Sequence, residues 1–339
     1  MVAEVIRERL SDVSIVKLLD GAVIFETECS YDRLNFFCFN NIFAVIDLLE
    51  TNDKSPLELH IRKISSSGRT HGAEGLLSER ARSVISENNK KIQTFRLVCS
   101  MENTPVSVNE KLRQDIENFI TRSSALRVDR TNADTEFWFL YRREGFSLFM
   151  KRLTRHAAKE KTLHPGELAP QLAWLLCRIA GLKAGESAAD PFCGYGSIPE
   201  AAVKHFPIAK FFASDIDPRC VKISASRPAL KTANGRCEIR CSDVFTVQDF
   251  LPGNGLNAII TDPPWGMFKE TGLPLGRFYE ETLAVFSRLL KKGGRAVILT
   301  AARREIEAAA EKTPALAVTR IIPVLVSGKK AAVYIMELL

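Results

Sequence analysis

The chain has little of what builds metal centres or disulfide scaffolds. It carries eight cysteines and five histidines in 339 residues. The close cysteine pairs are Cys29/Cys38 and Cys237/Cys241, and neither has the C-x-x-C spacing of a zinc knuckle. The scattered histidines supply no completing ligands. All eight cysteines are therefore expected to be reduced and structural, and no metal is expected. No uninterrupted apolar stretch approaches the ~20 residues that cross a bilayer. The segment Met1–Leu10 is charged and lacks the apolar core of a signal peptide, so a cytoplasmic chain without membrane association is expected. There is no internal repeat and no low-complexity segment.

What is present is ample material for cores. Apolar residues make up 46% of the chain and charged ones 26%. The length suggests two or three units at ~100–200 residues per domain. The formal charge of +7 is unevenly spread. Arg62 to Arg96 holds eight basic and three acidic residues, and Arg142 to Lys161 holds seven and two, so each stretch is +5. Such runs are often no more than solvated faces or linkers. Both lie outside the catalytic segment identified below, which favours a separate grip on an anionic partner such as nucleic acid. Arg62, Lys63, Lys90, Lys91, Arg142, Arg143, Lys151 and Arg152 are the candidates for it.

The last third alternates strand-like and helix-like runs. Leu163–Gly181 has helical apolar spacing and stops at glycine. Strands are expected at Ser187–Asp190, Phe211–Asp215, Cys237–Cys241, Leu256–Thr261 and Arg295–Thr300. Helices are expected at Ile198–His205, Pro218–Ala233 (broken or bent at Pro228), Arg277–Leu290 and Arg303–Lys312. Ala317–Val326 and Ala331–Leu338 flank the turn Ser327-Gly328-Lys329 and form an antiparallel hairpin. The pattern is a doubly wound α/β sheet of seven strands with an antiparallel edge. The first half is of α+β type. Strands are expected at Ala22–Cys29, Leu57–Ile64, Phe95–Ser100, Phe137–Tyr141 and Ser147–Leu153. Helices are expected at Phe36–Leu49, Gly75–Glu87 and Asn109–Ile120.

Asp190-Pro191-Phe192-Cys193-Gly194-Tyr195-Gly196-Ser197 follows a strand and opens a helix. Its two glycines let the chain turn tightly and bring backbone close to a ligand. A dinucleotide fold needs a third glycine three residues on, where Pro199 stands, so a dehydrogenase is disfavoured. Asp215 ends the second strand, where an acid accepts from ribose hydroxyls. Asp217 lies two residues on, and which of the two binds is open, with Asp215 better placed. Asp243 follows the third strand and suits an adenine amino group. Any one of these acids alone would read as a helix cap or turn former; three at successive strand ends beside a glycine turn point to a nucleoside site. Cys193 has no histidine near it in sequence, so packing is favoured over nucleophilic chemistry.

The second motif is Thr261-Asp262-Pro263-Pro264-Trp265-Gly266. Neither proline nitrogen can donate, which leaves a rigid turn with available carbonyls. Asp262 adds a carboxylate and Trp265 a stacking face. The set suits a planar base with an exocyclic amine, which donates to Asp262 and to the Pro263 carbonyl. Acceptors aimed at both N–H bonds favour the more tetrahedral nitrogen that attacks a methyl group.

These motifs resemble those of class I S-adenosylmethionine-dependent amino-methyltransferases. The lead-in Glu167-Leu168-Ala169-Pro170 with Leu172-Ala173 resembles that of the THUMP-domain RNA guanine-N2 methyltransferases. Phe95-Arg96-Leu97-Val98, the 109–120 helix and Phe137-Trp138-Phe139-Leu140 are similar to a THUMP domain, and the first sixty or so residues resemble the ferredoxin-like module before it. The resemblance implies a ferredoxin-like domain at 1–65, THUMP at 66–153, a linker at 154–163 and a Rossmann-fold methyltransferase at 164–339. It implies S-adenosylmethionine as cofactor, no metal, and a monomer acting on tRNA at guanine N2. Asp190, Phe192, Gly194 and Gly196 would shape the methionine end of the pocket, Asp215 would bind ribose and Asp243 adenine. Asp262, Pro263, Pro264 and Trp265 would hold the target base, and Asp262 would also bind the cofactor. Tyr195 and Ser197 stand where many members have Ser and Thr, and Asp262 and Trp265 where relatives often have Asn and Tyr. The rival readings are a 23S rRNA guanine-N2 methyltransferase, a DNA amino-methyltransferase, and a non-catalytic RNA-binding protein with a methyltransferase fold.

Overall fold

The computed structural model describes residues 2–19, 21–29, 38–39, 41–66, 83–85, 93–102, 104–154, 163–267, 272–326 and 328–339. They fall into two compact units, residues 1–161 and 162–339. No helix among the described residues is long and apolar enough to cross a membrane.

The first unit opens with helix α1 (Val2–Arg9) and the antiparallel hairpin β1 (Ser14–Leu19) and β2 (Ala22–Glu26). Ile6 and Leu10 pack there with Ile15, Val23 and Phe25. The chain continues through β3 (Phe43–Glu50), α2 (Pro56–Ser66), β4 (Thr94–Met101), β5 (Thr104–Pro105), α3 (Glu110–Ser124), β6 (Arg127–Val128), β7 (Thr135–Arg142) and β8 (Phe146–Arg152). The sheet order is β3-β8-β7-β4-β5, with β6 beside β4. Helix α3 is capped by Asn109, whose side chain accepts from the Lys111 N–H. Ile61, Ile64, Phe95, Ile116, Phe137, Phe139 and Phe149 form the core under the sheet.

Two expected elements change type here. Residues 43–49, expected within a helix over Phe36–Leu49, belong instead to β3, which pairs antiparallel with β8. Residues 57–64, expected as a strand, lie in α2, where Leu57, His60, Ile61 and Ile64 are buried at helical spacing. Of the expected Gly75–Glu87 helix only 83–85 lie among the described residues, and they are helical. Strand β3 pairs with β8, and α2 shares its core with β4 and β7.

The second unit contains α4 (Pro170–Ala180), β9 (Ser187–Asp190), α5 (Ser197–His205), β10 (Lys210–Asp215), α6 (Pro218–Ser226), α7 (Pro228–Lys231), β11 (Cys237–Cys241), β12 (Leu256–Thr261), α8 (Leu275–Leu289), β13 (Leu290–Thr300), α9 (Arg303–Glu311), β14 (Leu316–Val326) and β15 (Lys329–Leu338). Its seven-stranded sheet runs β11-β10-β9-β12-β13-β15-β14. The first five strands are parallel, and β15 is antiparallel to both its neighbours. The central strands read Ser-Ala-Ala-Asp and Leu-Asn-Ala-Ile-Ile-Thr because both faces are covered by helices. Helix α4 begins at Pro170, later than the spacing from Leu163 predicts, and ends at Gly181 with φ +60°.

Pro228 splits the helix expected over Pro218–Ala233. A residue before proline is pushed out of the helical region, and Arg227 has φ −62° and ψ 132°. That one extended residue turns the Arg227 side chain inward, with consequences for the site.

Candidate active site

The sheet order places four carboxylates at adjacent strand ends. Asp243 follows β11, Asp215 ends β10, Asp190 ends β9 and Asp262 follows β12. This is the carboxyl edge of an α/β sheet, where the strand order reverses between β9 and β12.

Asp190 is 1% exposed. Its Oδ1 accepts from the Thr261 hydroxyl at 2.7 Å and from the Phe192 N–H at 3.1 Å. Its Oδ2 is buried without a partner. Burial, with the like charges of Asp215 and Asp262, pushes its carboxyl up to about 8.

Asp215 latches the glycine turn. Its Oδ2 accepts from the Gly194 N–H at 2.8 Å and its Oδ1 from the Asp217 N–H at 2.9 Å. Next to it Ile216 is 67% exposed, an apolar face at a polar strand end. Asp217 caps α6, accepting from the Arg219 N–H at 2.9 Å and facing the Arg219 guanidinium at 3.0 Å. Asp217 is thus committed to its own helix. Asp243 makes an Asx turn, accepting from the Phe245 N–H at 2.9 Å. Gly196 sits at φ +88°, and a Cβ there would lie 2.3 Å from the Ser224 hydroxyl oxygen. The close approach of turn to helix therefore requires glycine. Cys193 is buried, which pushes its thiol well above the ordinary range.

Arg227 is the residue that sequence reasoning missed. Its side chain is 6% exposed and pairs with both Glu167 and Glu200. Its Nε–H donates to the Tyr195 carbonyl at 2.5 Å. Glu167 in turn accepts from the His164 N–H at 2.9 Å, and the His164 ring stacks on Tyr195 at 4.5 Å. One guanidinium thus holds the lead-in segment, the glycine turn and helix α5 together. The signal that could have exposed it was Pro228 one residue later.

In the second motif the Trp265 indole N–H donates to Asp262 Oδ1 at 2.8 Å, which fixes the ring relative to the carboxylate. The Pro264 carbonyl accepts from the Tyr279 hydroxyl at 3.0 Å, so the amine acceptor left by the two prolines is the Pro263 carbonyl.

The cationic candidates of the first unit fare unevenly. Arg62 is exposed on α2 and Arg143 is 78% exposed. Lys63 donates to Asp47 Oδ2 at 2.7 Å, and that carboxylate also holds the buried His60 ring at 2.9 Å. Arg142 is 3% exposed and faces Glu102 at 3.5 Å and Glu144 at 3.7 Å. Lys151 is buried and donates to the Val84 carbonyl at 3.0 Å. Arg152 pairs with Glu136 at 2.9 Å and donates to Asn41 at 2.6 Å. Arg142 and Arg152 are therefore in internal ion pairs and Lys151 on a backbone carbonyl rather than on a displayed cationic surface, because charge counting along the chain does not see the groups opposite them. Lys90 and Lys91 lie outside the described residues.

Fold and site together are those of an α/β methyltransferase. Residues 158–330, just over half of the chain, match the RMKL-like, methyltransferase domain family (UPF0020), and the chain belongs to that family. The U6 snRNA (guanine-N(2))-methyltransferase THUMPD2 of Bos taurus is 24% identical over 221 residues, 63% of this chain and 42% of that protein. A tRNA (guanine(10)-N2)-dimethyltransferase of Methanothermobacter thermautotrophicus is 32% identical over 139 residues, 40% of this chain and 39% of that protein. The matched segments thus span less than half the length of these curated relatives. The crystal structure of TrmN from Thermus thermophilus is similar in fold, with a TM-score of 0.70 at 19% identity, covering 94% of this chain and 89% of that one.

Proposed function

We propose that the chain methylates the exocyclic N2 of a guanosine in tRNA, with S-adenosylmethionine as methyl donor. The observation that carries this reading is the juxtaposition of two unlike sites on adjacent strands. The Asp262–Trp265 turn follows β12, directly beside β9 and its buried Asp190.

The residues fit the cofactor on their own chemistry. A buried carboxylate oxygen without a partner, Asp190 Oδ2, calls for a cationic group, and an amino acid's ammonium is one. The glycine turn brings backbone close to the same place. The exposed apolar face of Ile216 suits an adenine ring between Asp215 and Asp243. When bound, S-adenosylmethionine supplies a methyl group already activated on a sulfonium sulfur. The chain's part is then to orient an amine in line with it. Asp262 accepts from the amine N–H, the Pro263 carbonyl accepts the other, and Trp265 stacks on the base. These acceptors draw the nitrogen lone pair out of conjugation with the ring, and Asp262 takes up the proton that the methylated nitrogen sheds.

The first unit is the proposed RNA grip, with residues 66–153 as a THUMP module holding the folded RNA by phosphates and shape. Of the eight cations singled out in the sequence, Arg62 and Arg143 are displayed there. The target base leaves its stack to reach the turn. That THUMPD2 and the Methanothermobacter enzyme act at guanine N2 favours that amine over an adenine one, and the tRNA substrate of the latter, with the N-terminal resemblance, supports tRNA over a ribosomal substrate. The test is Asp262→Ala. Methyl transfer should be lost while RNA affinity stays near that of the parent chain; full activity in this variant would remove the assignment.

A further inference from the structure

The Asp262–Trp265 turn faces a mechanical problem. Its two consecutive prolines offer no N–H with which to bond the turn in place. It is nonetheless held closely against α8: a Cβ on Gly266 would lie 2.6 Å from Leu275 Cδ2. What fixes its far side is a chain of side-chain hydroxyls. Tyr279 on α8 is 1% exposed, and its hydroxyl lies 3.0 Å from the Pro264 carbonyl and 2.6 Å from Thr300 Oγ1. Thr300 ends β13 fully buried, and its Oγ1 accepts from the Ala302 N–H at 3.0 Å.

The direction of every bond in this chain follows from one fact. A carbonyl oxygen only accepts. Tyr279 has a single proton and gives it to Pro264, so the Thr300 hydroxyl must donate to Tyr279, leaving its own lone pairs for the Ala302 N–H. The relay therefore runs one way, from Ala302 through Thr300 and Tyr279 to Pro264. Burial and the nearby Asp262 charge raise the Tyr279 phenol above its ordinary value, so it remains a donor at any working pH. The relay also ties β13 to the turn after β12 through helix α8, three elements converging on one carbonyl.

We propose that Tyr279 and Thr300 are positioning residues that pin the Pro264 carbonyl and so set where Asp262 and Trp265 present themselves to the target base. They touch neither cofactor nor base. The inference deepens the reading of the turn as a base-holding site and rests on it for its kinetic part. Cutting the relay leaves a buried carbonyl or hydroxyl unsatisfied, and the turn shifts to find another donor. The rest of the cofactor pocket is built on β9, β10 and β11 and should hold the cofactor as before.

The test uses the full chain with Tyr279→Phe, Thr300→Val and Thr300→Ser, read in three ways. The first is the nitrogen-15 NMR signal of the Trp265 indole, identified by its loss in Trp265→Phe. The second is the S-adenosylmethionine Kd, and the third is kcat for methyl transfer to RNA. Tyr279→Phe and Thr300→Val should each move the Trp265 indole signal while leaving those of Trp138 and Trp174 in place. Turnover should fall by about tenfold with Kd unchanged. The double variant should be no worse than Tyr279→Phe, since the relay is already cut. Thr300→Ser, which keeps the hydroxyl, should match the parent. An unmoved Trp265 signal in folded Tyr279→Phe overturns the proposal, as does a parallel loss of cofactor affinity and turnover, the mark of general loosening. Should Tyr279→Phe not fold, the contrast between Thr300→Val and Thr300→Ser decides the matter alone. If the parent chain methylates no RNA, the functional reading fails, while the indole signal still reports on the pin.

Discussion

Replacing Asp190 by asparagine tests how the pocket selects a cation. The carboxyl is fully buried, its Oδ2 has no partner, and the charges facing it, Asp215 and Asp262, share its sign. With its pKa pushed up to about 8, roughly nine-tenths of the free protein holds the proton at pH 7. A cation bound at Oδ2 needs the carboxylate, so binding should release close to one proton at pH 7. The apparent affinity for S-adenosylmethionine should rise about tenfold from pH 6 to pH 7 and level off above pH ~8.5. The sign for stability is opposite. The folded chain holds this proton above the ordinary carboxylate range near 4, so free protein loses stability as pH rises from there through 8. Between pH 6 and pH 8 that loss is on the order of 2 kcal/mol. Asp190→Asn keeps an acceptor for Thr261 and the Phe192 amide but abolishes both pH dependences. It should weaken cofactor binding by on the order of 100-fold, the low end for breaking a buried charge pair. Isothermal calorimetry at pH 6, 7 and 8, in two buffers of different ionisation enthalpy, measures affinity and proton release together. A parent chain whose Kd is flat over that range, with no proton released, refutes the reasoning.

Three further outcomes follow from the geometry. Gly196→Ala forces a side chain into φ +88° and against Ser224; it should cost at least ~1–2 kcal/mol and lose cofactor binding, both seen in a thermal-shift titration. Arg227→Met leaves Glu167 and Glu200 without their shared cation and should destabilise by about 3–5 kcal/mol in urea denaturation, with Glu167→Gln recovering part. Arg62→Ala and Arg143→Ala should each lower the slope of log RNA affinity against log salt by ~0.7–0.9 without changing Kd for S-adenosylmethionine; an unaltered slope places the grip elsewhere.

The catalytic half was legible because its signals are short and local. Asp190, Asp215, Asp243 and Asp262 each stand where a strand stops, and the alternation of elements then sets them side by side. The order of those strands needed only the ordinary rules of a doubly wound sheet. The first unit was harder for a physical reason. Phe43–Glu50 carries apolar residues compatible with either period, and pairing with β8 decides for strand. Leu57–Ile64 has apolar residues at both alternating and helical intervals, and packing of Leu57, Ile61 and Ile64 into the core decides for helix. Charge was the least transferable signal. A run of cations is visible in sequence, but the acids that neutralise Arg142 and Arg152 are contributed by other strands and loops. Tyr279 was invisible for a different cause: at its place in an amphipathic helix, a core tyrosine and a hydrogen-bonding one look alike.

The most direct measurement is methyl transfer from labelled S-adenosylmethionine to unmodified tRNA, rRNA and DNA, followed by mass spectrometry of the nucleosides. N2-methylguanosine from tRNA, absent with Asp262→Ala, is the predicted result. Methyladenine, or label confined to rRNA or DNA, would contradict the substrate; no label anywhere and no cofactor bound would contradict the account as a whole.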